Sequence, residues 1–475
     1  MSESVEARIE RVASGLLPEA VFDGRFGSAH SLAERMAYFH TPGISIAVIN
    51  NSEIEWARGF GQRDANQTDA VTASTLFQAG SISKPIFALA VMRLVEQGHL
   101  DLDEDVNAYL RSWRVPANDG WQPRITLRQI LSHTAGLTVH GFPGYLQSEP
   151  LPTVPQLLNG EAPANTAKVE VNVLPGVQFR YSGGGMTVAQ QLLVDVLRQP
   201  FPDIMRELVL GPLGMRDSTY EQPLSPNRAA HAATAHPWKG IPLTGRFHTY
   251  PEMAAAGLWT TAGDLAKAGM AMVRALRDEP NGLFSQATAE HMLRPQLPDQ
   301  KPGEGDYVGL GFFCGGKENT FRFGHGGWDE GFVADMRVFP HIGKGAVVMV
   351  NSNEGYPLLE EVMRAVATAY EWPGVFPPEK IVVELVNGDA YVGEYATKDG
   401  AQFRVVHADG RIALQYGNQM PLPLLPTSEL EFFARAVNAT VRFEKAEDAD
   451  TIRALTLNQQ GKQVRAERSD WSKQH

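Results

Sequence analysis

The feature that most constrains the fold is the separation of strand-like segments into two distant groups. In the early segment GISIAVINNSEIEWARGFGQRD, apolar residues alternate around a polar turn at Asn50, Asn51 and Ser52, a pattern typical of a half-buried antiparallel strand pair. Strand-like patterns return in FVADMRVFP and GKGAVVMVNSN, and helical patterns lie between. This order predicts an α+β domain in which both chain ends contribute strands to one antiparallel sheet.

A second domain is predicted near the C-terminus. The run EWPGVFPPEK, from Glu371 to Lys380, has the proline and glycine content of a linker. Beyond it, QFRVVHADGRIALQY contains two β-like runs around Asp409-Gly410, and further strand–turn patterns follow. We therefore expect a main domain at 1–372, a linker at 373–378 and a small barrel-like (lipocalin-like) β-domain at 379–475.

Charge and hydropathy exclude several classes of protein. The net charge of -12 over 475 residues argues against broad binding to nucleic acid or to an anionic membrane surface. No apolar run approaches the length of a membrane span, and the first residues lack the apolar core of a secretory signal. These patterns predict a cytoplasmic protein. The single cysteine, Cys314, excludes an intrachain disulfide.

The stretch GSISKP places Ser81 and Lys84 three residues apart where a helix is predicted to begin. Residues at this spacing share a helix face, so the lysine could activate the serine as a nucleophile. Pro85 is compatible with a helix only if Ser81 lies at its very start, where unpaired N–H groups would also face an oxyanion. A Ser-x-x-Lys pair arises by chance about once in a chain of this size, so further motifs must support it.

Two later stretches complete an ordered set of motifs. GVQFRYSGGG contains Tyr181-Ser182-Gly183 just ahead of a predicted helix, and FRFGHGGWDEGF contains His325-Gly326-Gly327 at a predicted strand edge. The set resembles the serine β-lactamase and penicillin-binding protein superfamily, in particular its class C-like branch of D-alanyl-D-alanine carboxypeptidases, D-aminopeptidases and family VIII carboxylesterases. The likeness extends over roughly residues 30 to 370 and includes TPGISIAVI, ILSHTAGL and AAGLWTTAGDLAKA.

This resemblance implies a fold with an antiparallel sheet flanked by helices and an all-helical subdomain. It also implies a role for each motif residue: Ser81 as the acylated nucleophile, Lys84 as its proton acceptor or electrostatic partner, and Tyr181 as the general acid or base. His325 would orient the substrate or support the tyrosine. The oxyanion would be bound by the backbone N–H groups of Ser81 and Trp328.

The glycines of the third motif, Gly326 and Gly327, would leave the strand edge clear for substrate.

Two residues depart from the family pattern, and both affect which substrate is expected. Gly183 replaces the usual asparagine of the second motif, and His325 replaces a lysine that would carry a permanent charge for a substrate carboxylate. Both favour an esterase or a peptidase over an efficient β-lactamase.

The predicted function is therefore a serine hydrolase that cleaves an ester or amide through an acyl-enzyme, without metal or cofactor. Its predicted partners are small ester, amide or short peptide substrates, with no nucleic acid and no membrane, and the sequence leaves homo-oligomers open. A D-amino-acid-specific peptidase or aminopeptidase is one alternative. Another is a non-catalytic binding or scaffold protein, since Gly183 departs from the common pattern.

Other readings of individual residues are less consistent with the sequence. The chain has no Gly-x-Ser-x-Gly elbow, which argues against an α/β-hydrolase, and no His-Glu-x-x-His zinc motif. His133 is predicted to be a structural, hydrogen-bonded histidine.

The proline-rich segment 140–163 lies between two of the motifs. It either walls the substrate cleft, with Phe142 and Tyr145 as apolar contacts, or forms a solvent-facing insertion.

Overall fold

The computed structural model describes most of the chain: residues 4–17, 21–22, 29–280, 282–374, 379–398, 400–408, 410–417, 419, 421–434, 439–446, 451–459 and 462–469. The chain forms two compact units, Met1–Ala13 with Ser31–Val375 and Ser14–His30 with Phe376–His475. The segment 14–30, which the sequence places in the main domain, thus groups with the C-terminal unit. Of the predicted linker 373–378, residues 375–378 lie outside the described ranges.

Helices and strands are largely grouped along the chain, with helices in its middle part and strands towards its end. The helices are α1 (Val5–Ser14), α2 (Leu32–Tyr38), α3 (Ser83–Glu96), α4 (Val106–Tyr109), α5 (Leu127–Leu131), α6 (Val154–Asn159), α7 (Gly183–Leu197), α8 (Phe201–Met205), α9 (Pro226–Ala229), α10 (Met253–Ala256), α11 (Ala262–Leu276), α12 (Gln286–Met292) and α13 (Tyr356–Ala369). The strands are β1 (Val21–Phe22), β2 (Gly43–Asn50), β3 (Glu53–Gly61), β4 (Phe77–Gln78), β5 (Trp259–Thr260), β6 (Tyr307–Val308), β7 (Phe313–Gly315), β8 (Arg322–Asp329), β9 (Phe332–Phe339), β10 (Lys344–Val350), β11 (Glu379–Lys380), β12 (Gly393–Ala396), β13 (Gln402–Ala408), β14 (Arg411–Tyr416), β15 (Leu422–Pro423), β16 (Leu425–Pro426), β17 (Glu431–Ala434), β18 (Ala439–Lys445), β19 (Ile452–Gln459) and β20 (Lys462–Arg468).

The main unit is built on an antiparallel sheet with the order β3-β2-β10-β9-β8-β7-β6. The early strand β2 pairs with the late strand β10, so the prediction that distant parts of the chain share one sheet is confirmed. Asn51 and Ser52 both have positive φ, as the two-residue turn between β2 and β3 requires. The expectation that both strands are half-buried is wrong for β2, which is buried along most of its length because it lies inside the sheet.

Helices cover this sheet and form a separate helical region. Helix α11 packs on β2, β3 and β10, and α13 packs on β9 and β10. Between residues 83 and 210, several short helices pack around α7, whose N-terminal two-thirds is buried. The prediction of a sheet flanked by helices with an all-helical subdomain is therefore confirmed. In the described ranges, no helix is long and apolar enough to cross a membrane.

The C-terminal unit contains a nine-stranded antiparallel sheet in the order β15-β14-β13-β12-β20-β19-β18-β17-β16. Its two edge strands, β15 and β16, are separated in sequence by the single residue Leu424, so the sheet curls into a nearly closed barrel. The interior is filled by apolar side chains that include Tyr395, Phe403, Phe432 and Phe443. The prediction of a barrel-like C-terminal β-region is confirmed.

Candidate active site

Ser81 and Lys84 occupy the junction between a 3₁₀ turn and a buried helix. The turn Gly80–Ile82 runs directly into α3, so Pro85 falls in the first helical turn, where its missing N–H has no intrahelical partner to lose. Lys84 is 2% exposed, and its Nζ donates hydrogen bonds to Ser81 Oγ and to the carbonyl oxygen of Ala255, both at 2.8 Å. The structure thus places the predicted nucleophile and its lysine in direct contact.

Three hydrogen bonds stabilise the turn that carries the serine. Ser83 Oγ donates to the carbonyl oxygen of Gly80 at 2.6 Å and accepts a hydrogen bond from the N–H of Leu258 at 3.0 Å. The buried hydroxyl of Tyr220 donates to the carbonyl oxygen of Ser83 at 2.8 Å. Because these bonds lie in the core, the orientation of Ser81 is fixed before any substrate arrives.

The end of β8 packs against the same turn. Gly80 has φ +50°, and a Cβ there would lie 2.4 Å from the backbone nitrogen of Trp328. A Cβ on Gly327 would lie 1.9 Å from the carbonyl oxygen of Ala79. This close approach brings the backbone of Trp328 beside Ser81, the arrangement that two convergent N–H donors for an oxyanion require.

Tyr181 is positioned by the start of α7. Ser182 caps this helix, since its Oγ accepts a hydrogen bond from the N–H of Gly185 at 2.9 Å and donates to the carbonyl oxygen of Thr138 at 2.7 Å. The ring of the preceding Tyr181 then lies with its centroid 4.9 Å from Lys84 Nζ. The second motif is therefore adjacent to the first, although 97 residues separate Lys84 from Tyr181 in the sequence (181 − 84).

The ring of His133 packs against the ring of Tyr181. The two rings stack with centroids 4.2 Å apart, and the N–H of Ser182 donates to His133 Nδ1 at 3.1 Å. Burial, and secondarily the positive charge of Lys84, holds the pKa of His133 well below its usual value. His133 is thus a buried, neutral, hydrogen-bonded histidine, as the sequence predicts.

His325 lies on the inward face of β8 and is buried. Its Nδ1 donates to the carbonyl oxygen of Gly326 at 2.5 Å, which leaves Nε2 as an acceptor with no hydrogen-bond partner among the described residues. Burial and the charge of Lys84 lower the pKa of His325 to about 3. At neutral pH this position therefore carries an uncharged imidazole, not the cation that a lysine would supply.

The space beside Gly183 is occupied by an aromatic ring. A Cβ on Gly183 would lie 2.8 Å from Cε2 of Phe142, and the N–H of Gly183 donates to the carbonyl oxygen of His140 at 3.0 Å. Phe142 is half-buried here, whereas Tyr145 is buried in the core, where its hydroxyl accepts a hydrogen bond from the N–H of Asn165. Of the two aromatic residues proposed to wall the cleft, Phe142 therefore lies against the second motif.

Sequence reasoning missed two buried carboxyl groups, one of which interacts with Lys84. Asp329 is buried, and burial raises its pKa well above the usual range, while the positive charge of Lys84 acts in the opposite direction. Glu252 is completely buried, neither carboxyl oxygen has a partner among the described residues, and burial raises its pKa to about 8. Alternation along β8 could have placed Asp329 on the face of His325 and Gly327, but no pattern in the sequence marks Glu252.

The family is decided by comparison with known proteins. A model of the family described as Beta-lactamase matches residues 29–370, well over half of the chain. The chain belongs to the Beta-lactamase family. The matched range contains Ser81, Lys84, Tyr181 and His325, so the family assignment and the arrangement of these side chains concern the same part of the molecule.

The curated proteins similar to this chain include a penicillin-binding protein and an esterase. The chain is 21% identical to Penicillin-binding protein 4* of Bacillus subtilis (strain 168) over 467 residues, 92% of this chain and 98% of that protein. It is 31% identical to Esterase EstB of Burkholderia gladioli over 211 residues, 42% of this chain and 50% of the esterase. The matches to Protein flp of Staphylococcus aureus span 61% of the length of that protein.

A solved structure extends the likeness to both compact units. The octameric penicillin-binding protein homologue from Pyrococcus abyssi superposes with a TM-score of 0.63 at 21% identity, covering 91% of this chain and 98% of that one. At this identity the likeness is one of fold.

Proposed function

We propose that this Beta-lactamase family protein is a serine hydrolase of the carboxylesterase type, which cleaves an ester through an acyl-enzyme on Ser81. The observation that carries the proposal is the hydrogen bond from the buried Lys84 Nζ to Ser81 Oγ at 2.8 Å. A buried ammonium or amine within hydrogen-bonding distance of a serine hydroxyl is the arrangement that activates such a nucleophile.

In the acylation step, Ser81 Oγ attacks the carbonyl carbon of the ester. The adjacent pair of Lys84 and Tyr181 takes the serine proton and delivers it to the leaving alkoxide oxygen, so that an alcohol departs. The N–H groups of Ser81 and Trp328 bind the oxyanion of the tetrahedral intermediate. The products of this step are the free alcohol and an ester on Ser81.

In the deacylation step, water attacks the acyl-enzyme and the same groups work in reverse. The pair of Lys84 and Tyr181 takes a proton from the water and returns one to Ser81 Oγ, which releases the carboxylic acid. His325, uncharged and buried beside Lys84, supports Tyr181, whose ring centroid lies 6.2 Å from that of His325. No electrons are transferred, and hydrolysis balances with one water.

Two features support an ester over a β-lactam. The neutral His325 provides no charge for a substrate carboxylate, and the ring of Phe142 fills the space where a side chain at position 183 would reach an acyl amide. The relation to Esterase EstB at 31% identity points in the same direction.

A D-amino-acid peptidase is the second candidate. It is favoured by the match to Penicillin-binding protein 4*, which extends over 92% of this chain and therefore into the C-terminal unit that the family model does not reach. The same Ser81 would then be acylated by a peptide or amide carbonyl.

The test is intact-mass spectrometry after incubation with a fluorophosphonate, followed by kinetics. We expect one adduct on the wild type and none on Ser81→Ala. Ser74→Ala, which removes an exposed hydroxyl seven residues earlier, should label like the wild type. Hydrolysis of p-nitrophenyl acetate and of D-alanine p-nitroanilide then separates the two candidates.

Each result decides between the candidates. Because p-nitrophenyl acetate is an activated ester that a peptidase also cleaves, Ser81-dependent hydrolysis of the anilide supports the peptidase, and hydrolysis of the acetate with none of the anilide supports the esterase. An unlabelled wild type would exclude an activated serine and favour a non-catalytic scaffold.

A further inference from the structure

Two large aromatic side chains, one of them on the strand that packs against the Ser81 turn, are left half in solvent. Trp328 is 52% exposed and Tyr356 is 54% exposed, and their rings lie with centroids 5.7 Å apart at an angle of 32°. We call this pair the aromatic shelf. Aromatic rings of this size are normally largely buried, and adjacent exposed ones mark a surface that binds an apolar partner.

The shelf residue Trp328 belongs to β8, the strand whose backbone packs against the turn that carries Ser81. Along this strand His325, Gly327 and Asp329 are buried, whereas Gly326 and Trp328 point to the other face and are exposed. Strand β7 pairs with β8 only from Arg322–Gly324, so the later part of β8 has a free edge beside the Gly80–Ile82 turn. A substrate bound to Ser81 along that edge therefore lies next to the strand position from which the Trp328 side chain projects.

Tyr356 is held in place as the first residue of α13. The turn before it is fixed because Asn353 Oδ1 accepts the N–H of Gly331 at 2.8 Å, and Asn353 Nδ2 donates to Glu330 Oε1 at 3.2 Å. These bonds tie the start of α13 to the turn that follows β8. The backbone that carries Tyr356 is consequently fixed relative to the end of β8.

Charged groups of both signs lie next to the shelf in the sequence or contact its neighbours. Glu330 and Glu354 lie next to it in the sequence, and Glu354 Oε2 accepts the N–H of Lys239 at 2.5 Å and lies 3.4 Å from His40 Nδ1. The ammonium of Lys239 is 5.8 Å from the centroid of the Trp238 ring. Because both signs of charge are present, the uncharged faces of the two rings are what favours an uncharged group here.

We propose that the aromatic shelf of Trp328 and Tyr356 is a specificity subsite for an uncharged apolar group of the substrate, an aryl group or an alkyl chain of several carbons. The inference rests on the proposed esterase function and names its substrate class. The apolar group belongs either to the acyl part or to the alcohol part of the ester, and the two sources are separable by experiment.

The test compares ratios of kcat/KM within each variant. One series varies the acyl chain, p-nitrophenyl octanoate against acetate, and the other varies the alcohol, benzyl acetate against ethyl acetate. In the wild type we expect the longer or aromatic member of one series to be preferred. Tyr356→Ala and Trp328→Ala should each reduce that preference by about tenfold, the loss expected when one ring no longer covers the apolar group.

Two control variants show whether a change in the kcat/KM ratios comes from loss of an aromatic ring of the shelf. Tyr38→Ala removes another exposed tyrosine of the same unit and should leave both ratios unchanged. Trp328→Phe keeps an aromatic face and should retain most of the preference. The series that responds identifies the acyl or the alcohol part as the group on the shelf.

The outcomes distinguish this inference from the proposed function. Ser81-dependent hydrolysis with ratios that neither shelf variant changes would overturn the subsite and leave the esterase standing. A preference for a carboxylate-bearing ester, such as a p-nitrophenyl hemisuccinate, over the octanoate would also overturn it. Absence of Ser81-dependent ester hydrolysis would overturn both.

Discussion

Gly327 lies directly against the backbone of Ala79, so that a Cβ on this glycine would be 1.9 Å from the Ala79 carbonyl oxygen. By contrast, a Cβ on the neighbouring Gly326 would meet its nearest atom, the Ala334 carbonyl oxygen, at 3.8 Å. The two glycines of the third motif therefore have different roles. Gly327 allows β8 to approach the serine turn, and Gly326 leaves the outer face of the strand open.

We predict that Gly327→Ala lowers the free energy of unfolding by about 1–3 kcal/mol, because the backbone of β8 or of the turn must move. The displacement should also slow phosphonylation of Ser81 by the fluorophosphonate, in which Oγ displaces fluoride from phosphorus. Gly326→Ala is the matched control and should leave the melting temperature within about 1–2 °C of the wild type. Equal melting temperatures for the two variants would contradict the close packing.

Lys84→Met tests the lysine without opening a cavity, since methionine fills a similar volume. We expect the rate of adduct formation on Ser81 to fall by about 10²–10⁴-fold, the range typical for loss of a group that manages a proton. Lys168→Met, which changes an exposed lysine paired with Glu170, should label at the wild-type rate. A labelling rate for Lys84→Met within twofold of the wild type would show that the lysine does not activate the serine.

Glu252 should make stability fall as pH rises. The pKa of Glu252 is raised to about 8 in the folded protein, against a usual value of 4.5. Between these values the unfolded chain ionises and the folded chain keeps its proton, so unfolding becomes easier by about 1.4 kcal/mol per pH unit. Asp329, whose pKa is also raised by burial, acts in the same direction.

We therefore expect the melting temperature of Glu252→Gln to fall less than that of the wild type between pH 5 and pH 8. Glu304→Gln, a change at an exposed glutamate, should follow the wild-type curve. Parallel curves for Glu252→Gln and the wild type would mean that the buried carboxyl does not remain protonated.

Gly183 and Phe142 should be energetically coupled. Gly183→Asn restores the residue usual in the family, but its Cβ would lie 2.8 Å from the Phe142 ring. We expect this variant to be destabilised by about 1–3 kcal/mol and the double variant with Phe142→Ala to be more stable than additivity predicts, by about 1 kcal/mol. Chemical denaturation of the four proteins of the cycle measures this coupling, and strict additivity would argue against it.

The local parts of the site were predictable from the sequence. The contact between Ser81 and Lys84 follows from their spacing at a helix start, because residues three apart share a helix face and Pro85 is compatible with the first turn. The strands β9 and β10 lie where apolar runs predict them. The hairpin of β13 and β14 flanks the predicted turn, of which Asp409 lies outside the described residues.

Other features depend on contacts between distant segments, which no local pattern records. The segment 14–30 joins the C-terminal unit. Phe142 occupies the space beside Gly183, although 41 residues separate them (183 − 142).

The sequence by itself predicted which residues carry the proposed chemistry, because helix spacing and ordered motifs are written in neighbouring positions. Tertiary structure alone decided the environment of these residues: the neutral His325, the buried Glu252 and the exposed, tilted ring pair of Trp328 and Tyr356. The physical reason is that burial and desolvation set protonation and exposure, and both are properties of packed elements from distant parts of the chain.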